Sequence, residues 1–527
     1  MVDVVVVGAG FAGLYMVHRA RELGLDVVGI EAADGVGGTW WWNRYPGARC
    51  DVESLEYSYS FDEDLQQEWE WTERYAGQPE ILRYLDHVAD RFDLRPHFRF
   101  GTRVTAATWD EGRARWWVET DAGDTVKARF VVMATGCLSS AMEPAIPGRD
   151  SFAGATHHTG RWPHEGVDLA GRRVGVIGTG SSGIQAIPVI AEEAAELTVF
   201  QRTPAYSVPA RNGPLDPVEA KEVKARYAEL RAANRLRATG FGSRVPPAGA
   251  SALQATDEER RAEYEARWQR GGFTFLAGYT DLFTDPGANA TAAEFVREKI
   301  GEVVADPEVA ARLAPTQMIG CKRLCLDTGY YEAFNRPHVR LVDLRETLLE
   351  AITPDGIRTS AGHHDLDVIV FATGFDAMTG ALSRIDVRGR DGLDLRDAWA
   401  AGPRTYLGLA VHGFPNLFTV TGPGSPSVLT NMVVSIEHHV DWIAGCIAHL
   451  DQAGRTAIEA RPEAQERWVE HVNGVAAFTI FPTCSSWYLG ANVPGKTRVF
   501  MPLPGFPAYA ETVAEITADG YRGFALT

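Results

Sequence analysis

The chain is poor in cysteine, short of basic residues and without long apolar runs. Its six cysteines (Cys50, Cys137, Cys321, Cys325, Cys446 and Cys484) are scattered over 527 residues, which excludes a small scaffold held together by disulfides. Cys321 and Cys325 stand at C-x3-C spacing, so neither a C-x2-C redox dithiol nor a zinc knuckle is supported. Acidic residues outnumber basic ones by 69 to 51 and no long basic run appears, so neither nucleic acid nor an anionic membrane surface is an expected partner. No apolar run reaches the roughly 20 residues that span a bilayer. The apolar start MVDVVVV lacks a basic region and runs straight into a glycine loop, as a buried strand does and a signal peptide does not. A soluble, cytoplasmic enzyme with reduced thiols and no obligate protein partner is expected.

What is present is a repeated pattern. Val2 to Val7 is a β-branched run of the kind buried on both faces of a parallel sheet. It enters Gly8-Ala9-Gly10-Phe11-Ala12-Gly13, then an amphipathic helix, then a strand from Leu25 to Ile30 that ends at Glu31. Gly8 permits the tight turn, Gly10 lets a pyrophosphate approach the backbone, and Gly13 allows close helix–strand packing. Glu31 stands where an acid can accept from both ribose hydroxyls. A second glycine cluster, Gly35-Val36-Gly37-Gly38-Thr39-Trp40, suits a nucleotide that continues past the pyrophosphate, as FAD does. Behind it, Asp51 follows a Pro46-Gly47 turn, a position for a functional carboxylate.

The pattern returns at Arg173 to Ile177, followed by Gly178-Thr179-Gly180-Ser181-Ser182-Gly183 and a strand ending in Gln201-Arg202-Thr203. Where the first copy has Glu31, the second has Arg202. A cation there pairs with a 2′-phosphate that an acid would repel. The first site therefore reads as FAD and the second as NADP. Ala134-Thr135-Gly136 and Ala372-Thr373-Gly374 repeat each other at the ends of two further strands.

Between the two loops lies FAGATHHTGRWP, residues 152–163, whose glycines and proline read as an ordered connector rather than a regular element. A charged, helix-periodic stretch (214–315) reads as an insertion with solvated faces. The fold class expected is α/β: two Rossmann-like dinucleotide-binding domains with a helical insertion. The expected division is 1–149 and 377–527 for FAD, 150–213 and 316–376 for NADP.

With these residues in view, the chain resembles a type I Baeyer–Villiger monooxygenase over essentially its whole length. The family fingerprint F-x-G-x-x-x-H-x-x-x-W-P is matched by Phe152, Gly154, His158, Trp162 and Pro163. GPGSPSVLTNM (422–432) and SWYLGANVPGK (486–496) are similar to the phenylacetone monooxygenase branch. The resemblance implies that NADPH reduces FAD, that a C4a-peroxyflavin attacks a ketone, and that the adduct rearranges to an ester or lactone. It also implies roles for residues. Arg323 matches the catalytic arginine and Asp51 the carboxylate that orients it. Lys322, Arg202 and Thr203 match the holders of the 2′-phosphate, and Trp487 and Lys496 match a loop closing over the nicotinamide. Ser427, Val428, Leu429 and Met432 match a loop lining the substrate pocket, whose aliphatic character suits an apolar ketone. His158 is implied to couple the two domains rather than to transfer protons. A relative that oxygenates nitrogen or sulfur is the alternative. A disulfide reductase lacks its dithiol here, and a mere nucleotide sensor leaves the fingerprint and Arg323 unexplained.

Overall fold

The computed structural model describes residues 1–491 and 505–527. Lys496, expected over the nicotinamide, lies outside them.

Val4, Val5 and Val6 are wholly buried and Val7 nearly so, because their strand lies in the middle of a sheet covered on both faces. Val2–Val7 pairs in parallel with Val27–Ile30 on one side and Thr125–Met133 on the other. The nine-residue strand Thr125–Met133 changes partners half-way. Its first half pairs antiparallel with Arg115–Thr120 and its second half runs parallel to Leu417–Thr419. Strands of one sheet thus come from residues 2–133 and again from 386–419.

The second sheet is parallel throughout, in the order Val339–Asp343, Glu196–Gln201, Arg173–Ile177, Val368–Phe371, Ala155–His158. Its last strand corrects the sequence reading. The connector expected between the glycine loops contains a regular element, an edge strand set between Gly154 and Gly160. Ala155 and Thr156 face solvent, so no apolar alternation marks it, and only the pairing with Val368–Phe371 creates it.

Helices fill residues 217–313 as the periodicity predicts, among them Asp257–Arg270, whose N-terminus carries a reciprocal cap between Thr256 and Glu259. The insertion is anchored to the first glycine-loop unit by an ion pair and a hydrogen bond. Glu53, held within its own unit by Arg74 at 2.7 Å, takes Arg244 of the insertion at 2.5 Å, and the buried Glu56 accepts from Asn234 Nδ2 at 3.1 Å.

Cys321 and Cys484, 163 residues apart, are joined as a disulfide with their Cα atoms 6.0 Å apart. Sequence spacing carried no sign of this pair. The other four cysteines are free and buried.

At the end of the short strand Cys325–Asp327, Asp327 is 7% exposed. Burial pushes its carboxyl up to about 6, against the pull of Ser207 Oγ, which donates at 2.5 Å. Unfolding returns the group to its ordinary value of 3.8, so the folded state holds the proton more tightly. Stability attributable to this group is full below the unfolded value and falls as pH rises towards 6. Two pKa units correspond to about 3 kcal/mol. Asp327→Asn keeps an acceptor for Ser207 and is expected to raise the melting temperature at pH 8 but not at pH 4, measured by thermal denaturation across pH.

Candidate active site

Both glycine loops are built to the same plan. Gly8 has φ +111° and Gly178 φ +110°. A Cβ on Gly8 would meet Ala134 O at 2.5 Å, and one on Gly178 would meet Ala372 O at the same distance. Those carbonyls belong to the repeated Ala-Thr-Gly turns, so the repetition seen in sequence is one contact made twice. Gly13 and Gly183 each press their helix against the carbonyl of Gly8 or Gly178, where a side chain cannot fit. Gly10 and Gly180 cap the helices Phe11–Glu22 and Ser181–Glu193. Neither cap is made by a side chain, and neither first turn holds an acid. Their amides are left for an anion.

The two loops open into one cavity of about 1130 Å³. From the first unit it is lined by Gly8, Gly10, Glu31, Gly38, Thr39, Trp40 and Asp51, and from the second by Gly178, Gly180, Ser181, Ser182, Arg202, Thr203 and Lys322. Arg323, Val428, Met432 and Trp487 complete the wall. Gly37 N donates to Ala9 O at 2.9 Å, which brings the second glycine cluster up to the first loop. A Cβ on Gly10 would stand 3.3 Å from Gly38 Cα, so the cradle is as tight as a dinucleotide requires.

The residues that follow the second strand of each unit differ in charge. Glu31 is buried, and its oxygens accept from Ala9 N at 2.6 Å and Ala33 N at 2.7 Å. Burial still holds its carboxyl above the usual range. At the other end Lys322 stands beside Arg202. Burial, and then the positive charge of Arg202, depress its ammonium. Among the described residues no carboxylate pairs with either cation. Two like charges left without a counter-ion mark a site for a dianionic group.

Arg323 lies where the halves meet. Its Nε and Nη2 donate to Asp51 Oδ2 at 2.9 and 2.7 Å, and its Nη1 donates to Val428 O at 2.9 Å. The guanidinium also lies over the ring of Phe273 at 5.0 Å. Burial alone would lower its pKa, but the charge of Asp51 and the contact of Tyr488 raise it above the ordinary value. This charge is permanent at any working pH.

The fingerprint residues lie outside the cavity wall. His158 Nδ1 accepts from Gly160 N at 2.9 Å, so the ring proton is on Nε2, which meets Met142 O at 3.2 Å and Thr373 Oγ1 at 3.3 Å. Burial lowers its pKa and keeps it neutral. It therefore clasps the edge strand to the second Ala-Thr-Gly turn. Gly154 and Phe152 pack against the same sheet, and Trp162 is buried in its core. Of the proposed substrate loop, Val428 and Met432 reach the cavity. Ser427 is wholly buried, with its hydroxyl donated to Thr421 O at 3.1 Å, and Leu429 packs behind the wall.

Sequence reasoning missed three contributors. Gln185 crosses between the units: its Oε1 accepts from Tyr45 at 2.8 Å and its Nε2 donates to Arg49 O at 3.2 Å. Phe273 comes from the insertion, where a glycine pair, Gly271-Gly272, was its only sign. Tyr488 is buried against Arg323 and stood unremarked beside Trp487.

Three free cysteines line the cavity. Burial pushes Cys137 and Cys325 up to about 11 and Cys50 well above its ordinary value, which favours the thiol over the thiolate. The Cys321–Cys484 sulfurs lie behind the wall rather than in it.

A family model described as pyridine nucleotide-disulphide oxidoreductase matches residues 5–262. The acetone monooxygenase (methyl acetate-forming) of Gordonia sp. (strain TY-5) is 44% identical over 100% of this chain and 99% of its own. A Baeyer–Villiger monooxygenase of Pseudooceanicola batsensis is 44% identical over 98% of this chain and 95% of its own. The chain belongs to the Baeyer–Villiger monooxygenases. Among solved structures, an oxidized steroid monooxygenase bound to NADP is 56% identical, with TM-score 0.95 over 100% of this chain and 99% of that one. OTEMO in complex with FAD and NADP gives TM-score 0.96 at 41% identity, over 100% and 99%. The α/β fold with two dinucleotide sites and the cofactors FAD and NADP(H) follow.

Because Arg202 and Lys322 lack a counter-ion, Arg202→Ala is expected to raise KM for NADPH by about tenfold or more, the worth of a charge-assisted hydrogen bond. KM for NADH should change little. Steady-state kinetics with both cofactors reads the difference.

Proposed function

We propose that this protein inserts one oxygen atom of O2 beside the carbonyl of an apolar ketone to give an ester or lactone, at the expense of NADPH and without an obligate protein partner. The observation that carries this is the Arg323 guanidinium, held by Asp51 and Val428 at the junction of the two nucleotide cradles. The proposed division has 1–149 with 377–527 cradling FAD, 150–213 with 316–376 cradling NADPH, and 214–315 inserted. The membership of the two sheets supports it.

Gly8, Gly10, Gly38, Thr39 and Glu31 would hold FAD, and Gly178, Gly180, Ser181, Ser182, Arg202, Thr203 and Lys322 would hold NADPH. When bound and reduced, the flavin supplies activated oxygen to the carbonyl carbon. This chain's residues do the rest. Arg323 cannot give up its proton to a basic oxygen nucleophile, so it stabilises developing negative charge without quenching it. Asp51 fixes the direction of the guanidinium through two hydrogen bonds to one oxygen. Val428, Met432 and Trp487 present an apolar face to a ketone and exclude water.

Arg323→Ala is expected to remain yellow and reducible by NADPH, yet to lose ester formation on the order of 10²–10³-fold. Product mass against a panel of ketones, amines and sulfides checks this. Normal ester yield from the variant, or oxygenation of only the amines and sulfides by the wild type, would overturn the assignment.

A further inference from the structure

Cys321 and Cys484 form a disulfide in the wall behind the candidate site. Its position in the chain is what gives it meaning. Cys321 directly precedes Lys322 and Arg323, the cations assigned to the nucleotide and to the reacting oxygen. Cys484 stands three residues before Trp487, which lines the cavity, and four before Tyr488, which meets Arg323. One covalent link therefore ties the segment that carries the charge to the segment that closes over it.

Apart from that link, Tyr488 meets Arg323 directly, and the other described contacts around the two segments are few. Ile480 N donates to Phe283 O at 2.9 Å, and Thr483 Oγ1 meets Met318 Sδ at 3.7 Å. The remainder is apolar contact, with Phe481 stacked on Phe283 at 5.9 Å and against Tyr488 at 5.7 Å. Cys321 is wholly buried and Cys484 is 8% exposed, in a pocket shared with Ile480, Phe283 and Met318. No other cysteine is paired, and neither sulfur lines the cavity. The pair is thus buried and set back from the cavity, while the segments on either side of it reach the wall.

We propose that Cys321 and Cys484 are a reversible redox staple: a peroxide closes it and holds Tyr488 against Arg323 with Trp487 at the cavity, and two equivalents of a small thiol open it by exchange, leaving as their own disulfide and returning both cysteines to thiols, which lets water reach the site. In closing, one thiol gives its sulfur electrons to hydrogen peroxide, breaking the O–O bond to leave a sulfenic acid and one water. The second thiol then displaces the hydroxyl as a second water while the S–S bond forms. Two thiols and one hydrogen peroxide become one disulfide and two waters, so protons and electrons balance. Hydrogen peroxide is what an oxygen-activating site releases when water enters it. A leaking site would therefore generate the oxidant that tightens it. That last link rests on the proposed function, whereas the staple itself does not.

The test uses the full-length, flavin-loaded enzyme, reduced with a phosphine, desalted without oxygen, and either kept so or treated with hydrogen peroxide. Non-reducing peptide mapping is expected to find Cys321 linked to Cys484 only after peroxide. Amide hydrogen exchange over residues 485–491 should be faster in the reduced form. With a ketone and NADPH, hydrogen peroxide released per NADPH oxidised should be several-fold higher for the reduced form. Cys484→Ser should sit at that higher level whether or not reductant is added, and the wild-type comparison stands alone if this variant folds poorly. Absence of the linked peptide after peroxide, or exchange over 485–491 that reduction leaves unchanged, overturns the staple. An unchanged leak ratio in a mapped, linked enzyme overturns its role at the site. Lack of ester in both redox forms would instead count against the proposed function, since mapping and exchange need no turnover.

Discussion

A guanidinium kept charged in a largely enclosed place must have its charge answered and its direction fixed, and that requirement organises this molecule. Arg323 is 22% exposed and Asp51 24%, so neither is fully solvated. Two hydrogen bonds to one carboxylate oxygen leave the group strongly oriented. The remaining contacts come from parts of the chain far apart in sequence: Val428 O from the loop after Leu417–Thr419, the Phe273 ring from the insertion, and Tyr488 from the C-terminal region. Only the tertiary fold brings these groups and Asp51 around one guanidinium. This explains why a helical insertion that looks dispensable in sequence is tied so firmly to the first unit through Glu53 and Glu56.

The two nucleotide cradles solve a different problem with one piece of geometry used twice. Each needs a backbone turn that no side chain can follow and a helix whose first amides stay free. Gly8 and Gly178 share a φ value to within a degree, and each meets the alanine carbonyl of its own Ala-Thr-Gly turn at the same distance. The two units then differ at the residue that ends the next strand. Glu31 is acidic and is held by backbone amides, whereas Arg202 stands with Lys322 and no counter-ion among the described residues. The orphaned charge is the stronger statement, because a structural cation finds a partner and a ligand-binding one waits for it.

Much of this was legible in the sequence because it depends on short-range rules. Buried parallel strands are written as β-branched runs, and both sheets were visible at Val2–Val7 and Arg173–Ile177. Glycine spacing disclosed both turns, and the Glu31/Arg202 exchange is what led the sequence reading to expect two different cofactors. The Arg323–Asp51 pair, 272 residues apart, came only from family resemblance. What escaped notice depends on three-dimensional neighbours. Ala155–His158 becomes a strand through pairing at an edge, with no alternation to announce it. Gln185 lies mid-helix, and only the fold turns its amide towards Tyr45 and Arg49. Phe273 sits among charged helical segments whose composition suggests a solvent role. Ser427 shows the converse: a loop assigned to the substrate pocket by resemblance has one hydroxyl turned into the core.

The fingerprint histidine illustrates how a motif can be diagnostic without being chemical. Its Nδ1 is occupied by the Gly160 amide, which sets the tautomer, and its Nε2 is committed to Met142 and Thr373. A ring with both nitrogens engaged and its pKa lowered by burial has no proton to exchange near neutrality. What it does have is contact with both ends of the second sheet's edge: the strand it terminates and the Ala-Thr-Gly turn beneath the second glycine loop. Any shift of that loop must pass through this clasp. Gln185 makes the matching link on the opposite side, between the helix of that loop and the Pro46-Gly47 turn that leads to Asp51. The second glycine loop and the carboxylate that holds Arg323 therefore belong to one connected set of hydrogen bonds.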